Sequence, residues 1–578
     1  MSFKIEQLGN VRYGFELEDI LRMKGIENIP DFINPTIKNV ESELLYDNII
    51  EARDCYVKHI ANDDEIDIVV DCDVDGNVSG SYMYQYTELI NPKVKINCFI
   101  HDKKVHGISD KMEILLNSKS RLVIIPDAGS GDWKECEQLI KAGKDVIILD
   151  HHDIDVSGNP AIVVNNQASK KVTDKALTGV GVVHKFCKVL DAFYGVAYSD
   201  KFLDLVAVGL IGDRADTKNL EVRYYIFEGI RQMSNKTNYN KLLSALIQSQ
   251  AFVMNNKITI TGIGFYICPL INSLIRLGEF HEKIKLFEAI CNADYILERK
   301  VRGKGMVSMP IQEYIVKSCE SSNRKQKKLT EESATELSEQ IMTYALDKFP
   351  ILVVNAGDFV DGNSTGLIAN KLADIYKRPC LLMRRKGDIC KGSARGYDKC
   401  SIVDFNKWCT DTGLFEFCEG HPGAFGVGIH FKNTYKLFEL LSTMESIDET
   451  IYHVCGIYDA NVLHDQIIKG IAKYDYIWGN TVDAPIFYIK NLPVNKYNVN
   501  LIGSKQNKIE FLYHNIKITK MTRSTSLMEE FKDIVNVGNN ILFNVVGRFA
   551  LDGKEPQIIV EDWEYKKDTN DKISCFGL

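Results

Sequence analysis

Three short apolar runs, each closed by an acid, constrain this chain more than any other feature. They are Ile66-Asp67-Ile68-Val69-Val70 before Asp71, Leu122-Val123-Ile124-Ile125 before Pro126-Asp127, and Val146-Ile147-Ile148-Leu149 before Asp150. Helical stretches separate them. Strands that alternate with helices at this spacing imply a parallel α/β sheet. In such sheets ligands bind beyond the C-terminal ends of the strands. All three acidic endings therefore converge on one edge.

The chain has 578 residues, enough for three or four domains. Residues 1–60 read as a helical N-terminal segment, with Val40, Leu44, Ile49 and Ile50 at roughly helical spacing between Asn39 and His59. Residues 61–220 carry the α/β pattern. Residues 221–333 read as a helical connector ending in a linker, because 321–333 (SSNRKQKKLTEES) are polar without apolar periodicity. A solvated helix start is the competing reading there. A second α/β pattern fills 334–450: a helix over Ala334–Phe349, a strand over Ile351–Val354, a helix over Thr365–Tyr376 and a strand over Cys380–Met383. Residues 451–578 become strand-like from about 470 and predict a small β-barrel. No internal repeat is visible.

Hydrophobic residues make up 45% and charged residues 26%, which excludes a disordered or disulfide-stapled chain. Lys+Arg 70 against Asp+Glu 78 gives a net charge of −8, so bulk charge does not drive nucleic-acid binding, although a local basic groove stays open. The 15 cysteines form no C-x-x-C pair, and the gaps between Cys390, Cys400, Cys409 and Cys418 are too wide for a zinc knuckle. Reduced core thiols in a cytoplasmic protein are expected. The opening MSFKIEQLGN shows no signal-peptide pattern, and no apolar run approaches a membrane span, so no membrane partner is expected.

The first chemical motif is Asp71-Cys72-Asp73-Val74-Asp75-Gly76. Three alternating carboxylates repel one another unless a cation compensates. A calcium loop is discounted, because counting Asp71 as position 1 puts Tyr82 where a Glu is needed. The second is Pro126-Asp127-Ala128-Gly129, with Asp132 behind it. The third is Asp150-His151-His152-Asp153, and the fourth is Gly209-Leu210-Ile211-Gly212-Asp213. Singly, Asp127 or Asp213 reads as a helix cap and His151 as a core histidine. Together they put at least five carboxylates and two histidines on one sheet edge. Such a set suits two divalent ions that clamp a phosphate and activate a water.

These four motifs, in this order, resemble the signature of the DHH phosphoesterase superfamily. Further segments resemble its RecJ-type single-strand-specific exonucleases: Leu177-Thr178-Gly179-Val180-Gly181-Val182, Pro269 to Gly278, Lys391-Gly392-Ser393-Ala394-Arg395-Gly396 and Glu419-Gly420-His421-Pro422-Gly423-Ala424-Phe425-Gly426. The last two resemble the associated DHHA1 domain. Trp478-Gly479-Asn480 through Pro485-Ile486-Phe487 is similar to the start of the family's oligonucleotide-binding (OB-like) barrel. The resemblance spans roughly residues 60–565, and its diverged spelling points to a phage-borne version.

The resemblance implies a parallel-sheet DHH domain, a DHHA1-type domain over 334–450 and an OB-like domain over 451–578. It implies Asp73, Asp75, Asp127, His151 and Asp213 as ligands of two Mn²⁺ or Mg²⁺ ions, with Asp127 bridging. Asp71 and Asp150 would be supporting groups or additional ligands. His152 would stabilise charge at the scissile phosphate. Asn272 and Arg276, with Ser393, Arg395 and His421, would hold substrate. Three departures stand out: Val69 where the family often has histidine, Glu419 where it often has glycine, and His101-Asp102-Lys103-Lys104-Val105-His106-Gly107 where it has an arginine-bearing loop.

The implied activity is hydrolysis of single-stranded DNA from the 5′ end. A single-strand-binding protein or a helicase would be the protein partners to test. The competing readings are a phosphodiesterase for short oligonucleotides or small nucleotides, and an inactive nucleic-acid-binding scaffold. In the barrel, Phe487, Tyr488, Phe511, Tyr513 and Trp563 are candidate stacking groups whose bland alternative is core packing. Lys505, Lys508, Lys517 and Lys520 add charge near them.

Overall fold

The computed structural model describes residues 3–9, 16–154, 156–235, 239–445, 449–495, 497–502, 508–522, 529, 531 and 541–567. The chain forms two compact units. One comprises residues 28–326 and 476–483, the other 1–27, 327–475 and 484–578.

The first unit is built on a five-stranded parallel sheet. Its order across the sheet is Ile96–Ile100, Ile66–Val70, Leu122–Pro126, Asp145–Asp150, Ile162–Asn165. Alternate side chains enter opposite layers, which is why the strands read as unbroken apolar runs. Ile66, Ile68, Val70, Ile124, Ile147 and Leu149 pack under the helices Val74–Ile90, Gly179–Tyr194 and Leu203–Gly212. Val69, Val123, Ile125, Val146 and Ile148 pack under Met112–Asn117 and Trp133–Lys141. The chain leaves Ile66–Val70 toward one side of the sheet and returns to Leu122–Pro126 on the other. That reversal is a topological switch point, the crevice where open α/β sheets bind ligands. The first and second acidic motifs flank it.

Helices follow from Leu220 to Ile290. A hairpin of Ile296–Val301 with Gly305–Pro310 interrupts the expected helical connector. The next helix, Ile311–Thr343, runs through the expected linker at 321–333. Its ion pairs at i,i+4 (Glu313–Lys317, Glu320–Arg324, Lys328–Glu332) show a solvated helix whose polar composition imitates a linker. The run Ile260–Leu277 is long and apolar enough for a membrane span, contrary to the sequence expectation. Thr, Gly, Asn and Ser interrupt it, and Ile260, Ile263, Ile267, Leu270, Ile271 and Leu274 pack in the core of this unit.

The second unit holds a five-stranded mixed sheet ordered Phe415–His421, Ala424–His430, Ile389–Arg395, Cys380–Lys386, Leu352–Asn355. It also holds a seven-stranded mixed sheet ordered Gly456–Asp459, Ile486–Val494, Ile541–Asp552, Glu555–Lys567, Ile516–Met521, Lys508–Tyr513, Val499–Ile502. The N-terminal segment is not wholly helical: Phe3–Gln7 is a strand paired in parallel with Thr450–Val454. Phe487, Tyr488 and Phe511 are buried, as core packing requires. Lys508 and Lys517 pair with Glu510 and Asp552, and Lys505 lies outside the described residues.

Candidate metal centre

The wholly buried strand Ile66–Val70 delivers Asp71 to the sheet edge. The chain turns through Cys72, and Asp73 caps the helix Val74–Ile90 by accepting from Gly76 N at 3.0 Å. Asp75 lies in that helix's first turn and accepts from Val180 N at 3.3 Å. Asp127 follows the strand Leu122–Pro126 in a left-handed conformation, φ 67°, with its N–H donating to Leu149 O at 2.8 Å. Asp is one of few residues whose short polar side chain makes that conformation tolerable. Asp213 ends the helix Leu203–Gly212.

The third motif closes the ring. Asp150 accepts from Ser130 N at 3.1 Å, from His151 N at 2.7 Å and from His152 Nδ1 at 2.8 Å. His151 Nε2 lies 3.3 Å from Asp127 Oδ1 and 3.7 Å from Asp213 Oδ2. Three overlapping groups result, each with ligand atoms within 4.8 Å of one another: Asp71, Asp73 and Asp127; Asp75, His151 and Asp213; Asp127 with Asp150, His151 and His152. All eight acids and imidazoles expected from the motifs are therefore brought together.

Their electrostatics are those of a site built for cations. Burial, then Asp73, pushes Asp75 up to about 7. Burial, then Asp75 and Asp73, pushes Asp213 up to about 8. Asp127 is likewise raised, by burial first and then by Asp75, Asp73, Asp71 and Asp213. Burial would also raise Asp150, but its bond to His152 and the charge of both imidazoles win and lower it. His152 rises in turn to about 9 through that bond. Asp71 Oδ1, Asp75 Oδ2 and Asp127 Oδ1 are buried and accept no hydrogen bond. Orphaned buried acceptors cost about 1–3 kcal/mol each, more when charged. A divalent cation would satisfy them, and carboxylate with imidazole is a donor set open to Mn²⁺, Mg²⁺ or Zn²⁺.

Glycines leave room for these carboxylates. A Cβ on Gly209 would fall 2.3 Å from Asp75 Oδ1. Arg276, on the helix Cys268–Leu277, is half-buried within range of the Asp73 charge. Asn272 lies one turn earlier on that helix, half-buried.

Ser393, Arg395 and His421 belong to the other unit. Ser393 Oγ and Thr365 Oγ1 are 2.9 Å apart, and a Cβ on Gly366 would meet Arg395 Nη2 at 2.4 Å. Both therefore sit at the N-terminus of the helix Thr365–Tyr376, a natural anion site. Arg395 and His421 both pair with Ala424 across the strands, which puts exposed His421 at the same end of the sheet.

The motifs did not single out His106. Its Nδ1 lies 2.7 Å from Asp71 Oδ2, and its pKa is raised to about 11, chiefly by that contact. The available signal was Val69, where the family's usual histidine is absent while the loop after the next strand ends Val105-His106-Gly107. Asp132, counted near the second motif, instead accepts from Ile108 N at 2.9 Å and anchors that loop.

The family model described as "DHH family, N-terminal domain" matches residues 65–210. YorK, from the SPbeta prophage of Bacillus subtilis (strain 168), is named for an inferred single-strand DNA-specific exonuclease activity. It is 34% identical over 571 residues, covering 96% of this chain and 97% of YorK. The single-stranded-DNA-specific exonuclease RecJ of the same bacterium is 24% identical, over 96% of this chain and 67% of its own. Among solved structures, RecJ from Thermus thermophilus in complex with Mn²⁺ superposes with a TM-score of 0.69 at 16% identity, over 98% of this chain and 79% of that one. The chain thus belongs to the DHH family, among its RecJ-like exonucleases.

Proposed function

We propose that this chain is a metal-dependent exonuclease that hydrolyses single-stranded DNA from the 5′ end. The observation that carries the reading is the buried ring of carboxylates whose orphaned oxygens call for cations. Asp73, Asp75, Asp127, His151 and Asp213 would hold the divalent ions. Bound there, Mn²⁺ or Mg²⁺ would neutralise the phosphate and lower the pKa of the attacking water. Asp150 fixes His152 through Nδ1, so its protonated ring offers Nε2 to the oxygen where charge develops. Asp71 orients His106 in the same way. Arg276 and Asn272 hold the phosphate next to the scissile one. Ser393, Arg395 and His421 form a second phosphate contact, suited to Arg's forked donors.

The seven-stranded C-terminal sheet serves in this reading as an OB-like surface for the trailing strand. The place of action in this reading is the cytoplasm, a host's where the gene is phage-borne. A single-strand-binding protein or a helicase would present the substrate.

The test is a digestion time course in Mn²⁺ on single strands labelled at the 5′ or the 3′ end, a duplex and a dinucleotide. Immediate mononucleotide release from the 5′ label, with the duplex spared, is the expected result. Cleavage of the dinucleotide alone would move the chain to the small-nucleotide phosphodiesterases. Strand binding without cleavage would make it a scaffold.

A further inference from the structure

The segment Trp478-Gly479-Asn480 precedes Ile486–Val494, the strand by which the chain enters the C-terminal sheet, yet it is part of a different unit. Residues 476–483 belong to the catalytic unit, although the chain on both sides belongs to the other. They pack on the loop that follows Asp213.

That loop needs support. Asp213 ends its helix, and the next residue, Arg214, takes a left-handed conformation at φ 59° without being glycine. Such a backbone persists only when its surroundings over-determine it. The 476–483 segment does so residue by residue. Ala215 O accepts from Asn480 Nδ2 at 3.3 Å. Asp216 Oδ1 accepts from the Thr481 hydroxyl. Thr217 N donates to Thr481 Oγ1 at 3.0 Å, and Thr217 Oγ1 donates to Gly479 O at 2.9 Å. Buried Arg223 joins both strands of chain, donating to Thr217 O at 3.2 Å and to Ile477 O at 2.9 Å.

The same segment reaches the helical run Ile260–Leu277. Thr261 Oγ1 donates to Trp478 O at 3.1 Å. Gly479, at φ 151°, lies so close to Ile260 that a Cβ would fall 2.5 Å from its Cγ2. Farther along that run, Cys268 Sγ lies 3.6 Å from where a Cβ on Gly212 would stand, beside Asp213. Arg276 follows two turns later.

We propose that Trp478–Thr481 is a positioning element of the catalytic site, a strap that holds the Asp213 carboxylate in ligand geometry and ties it to the helix bearing Arg276. The hydroxyl of Thr481 and the amide of Asn480 are its working groups. The inference rests on the reading of Asp213 as a metal ligand. It assigns a role at the metal site to residues some 265 positions away in the chain. Groups that orient metal ligands typically change metal affinity by about 10–100-fold when lost.

The experiment uses the full chain and three variants. Thr481→Val removes the hydroxyl, Asn480→Gly removes the amide while tolerating the left-handed backbone, and Thr481→Ser keeps the hydroxyl. Mn²⁺ binding is titrated calorimetrically with no nucleic acid present, and thermal unfolding in EDTA is recorded alongside. Thr481→Val and Asn480→Gly are expected to weaken Mn²⁺ binding at least about tenfold, with melting within a few degrees of the parent and Thr481→Ser close to the parent. Variants that melt earlier yet bind Mn²⁺ like the parent would overturn the proposal and leave the strap as fold support alone. A parent chain that binds no Mn²⁺ would overturn the metal reading itself, and this proposal with it.

Discussion

Gly179 stands against Asp127: a Cβ built on it would fall 2.1 Å from Asp127 Oδ1. Asp127 cannot retreat, because its backbone is held at φ 67° by the Leu149 carbonyl. Gly179→Ala should therefore displace this proposed metal ligand while leaving the sheet intact. Activity is expected to fall about 100-fold or more, with far-ultraviolet circular dichroism unchanged. Gly209→Ala should act likewise through Asp75. Full activity in either variant would remove the two carboxylates from the working site.

Asp127 itself separates function from stability. Burial and four neighbouring carboxylates raise its pKa, so its charge opposes the metal-free fold. Asn keeps the shape and tolerates the left-handed backbone. Asp127→Asn should abolish hydrolysis yet raise the melting temperature measured in EDTA. A variant that melts earlier than the parent would mean that the carboxylate is structurally bonded rather than repelled.

Burial and the same repulsion set a pH dependence. Asp75 at about 7 and Asp213 at about 8 lie above the ordinary carboxylate range near 4. A raised acid favours the metal-free fold when protonated. That stabilisation is full below about pH 4 and is lost as pH rises through 7 and 8. Metal needs the ionised forms, so binding expels protons. Mn²⁺ affinity should climb between pH 6 and 8.5, with proton release that depends on buffer ionisation heat in calorimetry. A flat affinity over that window would contradict the raised values.

Asp150 and His152 give a kinetic counterpart. Asp150 spends its oxygens on Ser130 N, His151 N and His152 Nδ1, which suits a supporting group better than a ligand. Asp150→Asn replaces the carboxylate whose bond, and then whose charge, raises His152 to about 9. At pH 8 the ring should then be neutral and kcat should drop, while Mn²⁺ affinity changes only a few-fold. An equal collapse of Mn²⁺ affinity would make Asp150 a ligand.

How much of this was legible in the sequence follows from where each interaction is made. Leu122–Pro126 and Asp145–Asp150 were readable because both faces of a central parallel strand are buried, giving unbroken apolar runs. Their acidic ends could be assigned to one edge by topology alone. The helix Thr365–Tyr376 was readable with both ends because its periodicity is local. Phe3–Gln7 was not, since its partner Thr450–Val454 is more than 400 residues away. The helix through 321–333 was misread because solvated ion pairs and linkers share a composition. His106 and the 478–481 strap escaped for a common reason: each acts through a contact that only the tertiary fold creates.

Arg395 offers the last separation, between chemistry and strand holding. It sits with Ser393 and Thr365 at the N-terminus of Thr365–Tyr376, in the unit that does not contain the acid ring. Its proposed role is to hold a phosphate other than the scissile one, which matters only for substrates that carry further phosphates. Arg395→Ala should raise KM for a long single strand by about tenfold or more, since charge-assisted bidentate bonds are the strong ones. It should leave dinucleotide turnover close to the parent's. The long-strand defect should also shrink as salt increases, because the parent loses its electrostatic advantage too. Equal losses on the dinucleotide and the long strand would place Arg395 in the chemistry and reject its role as a separate phosphate clamp.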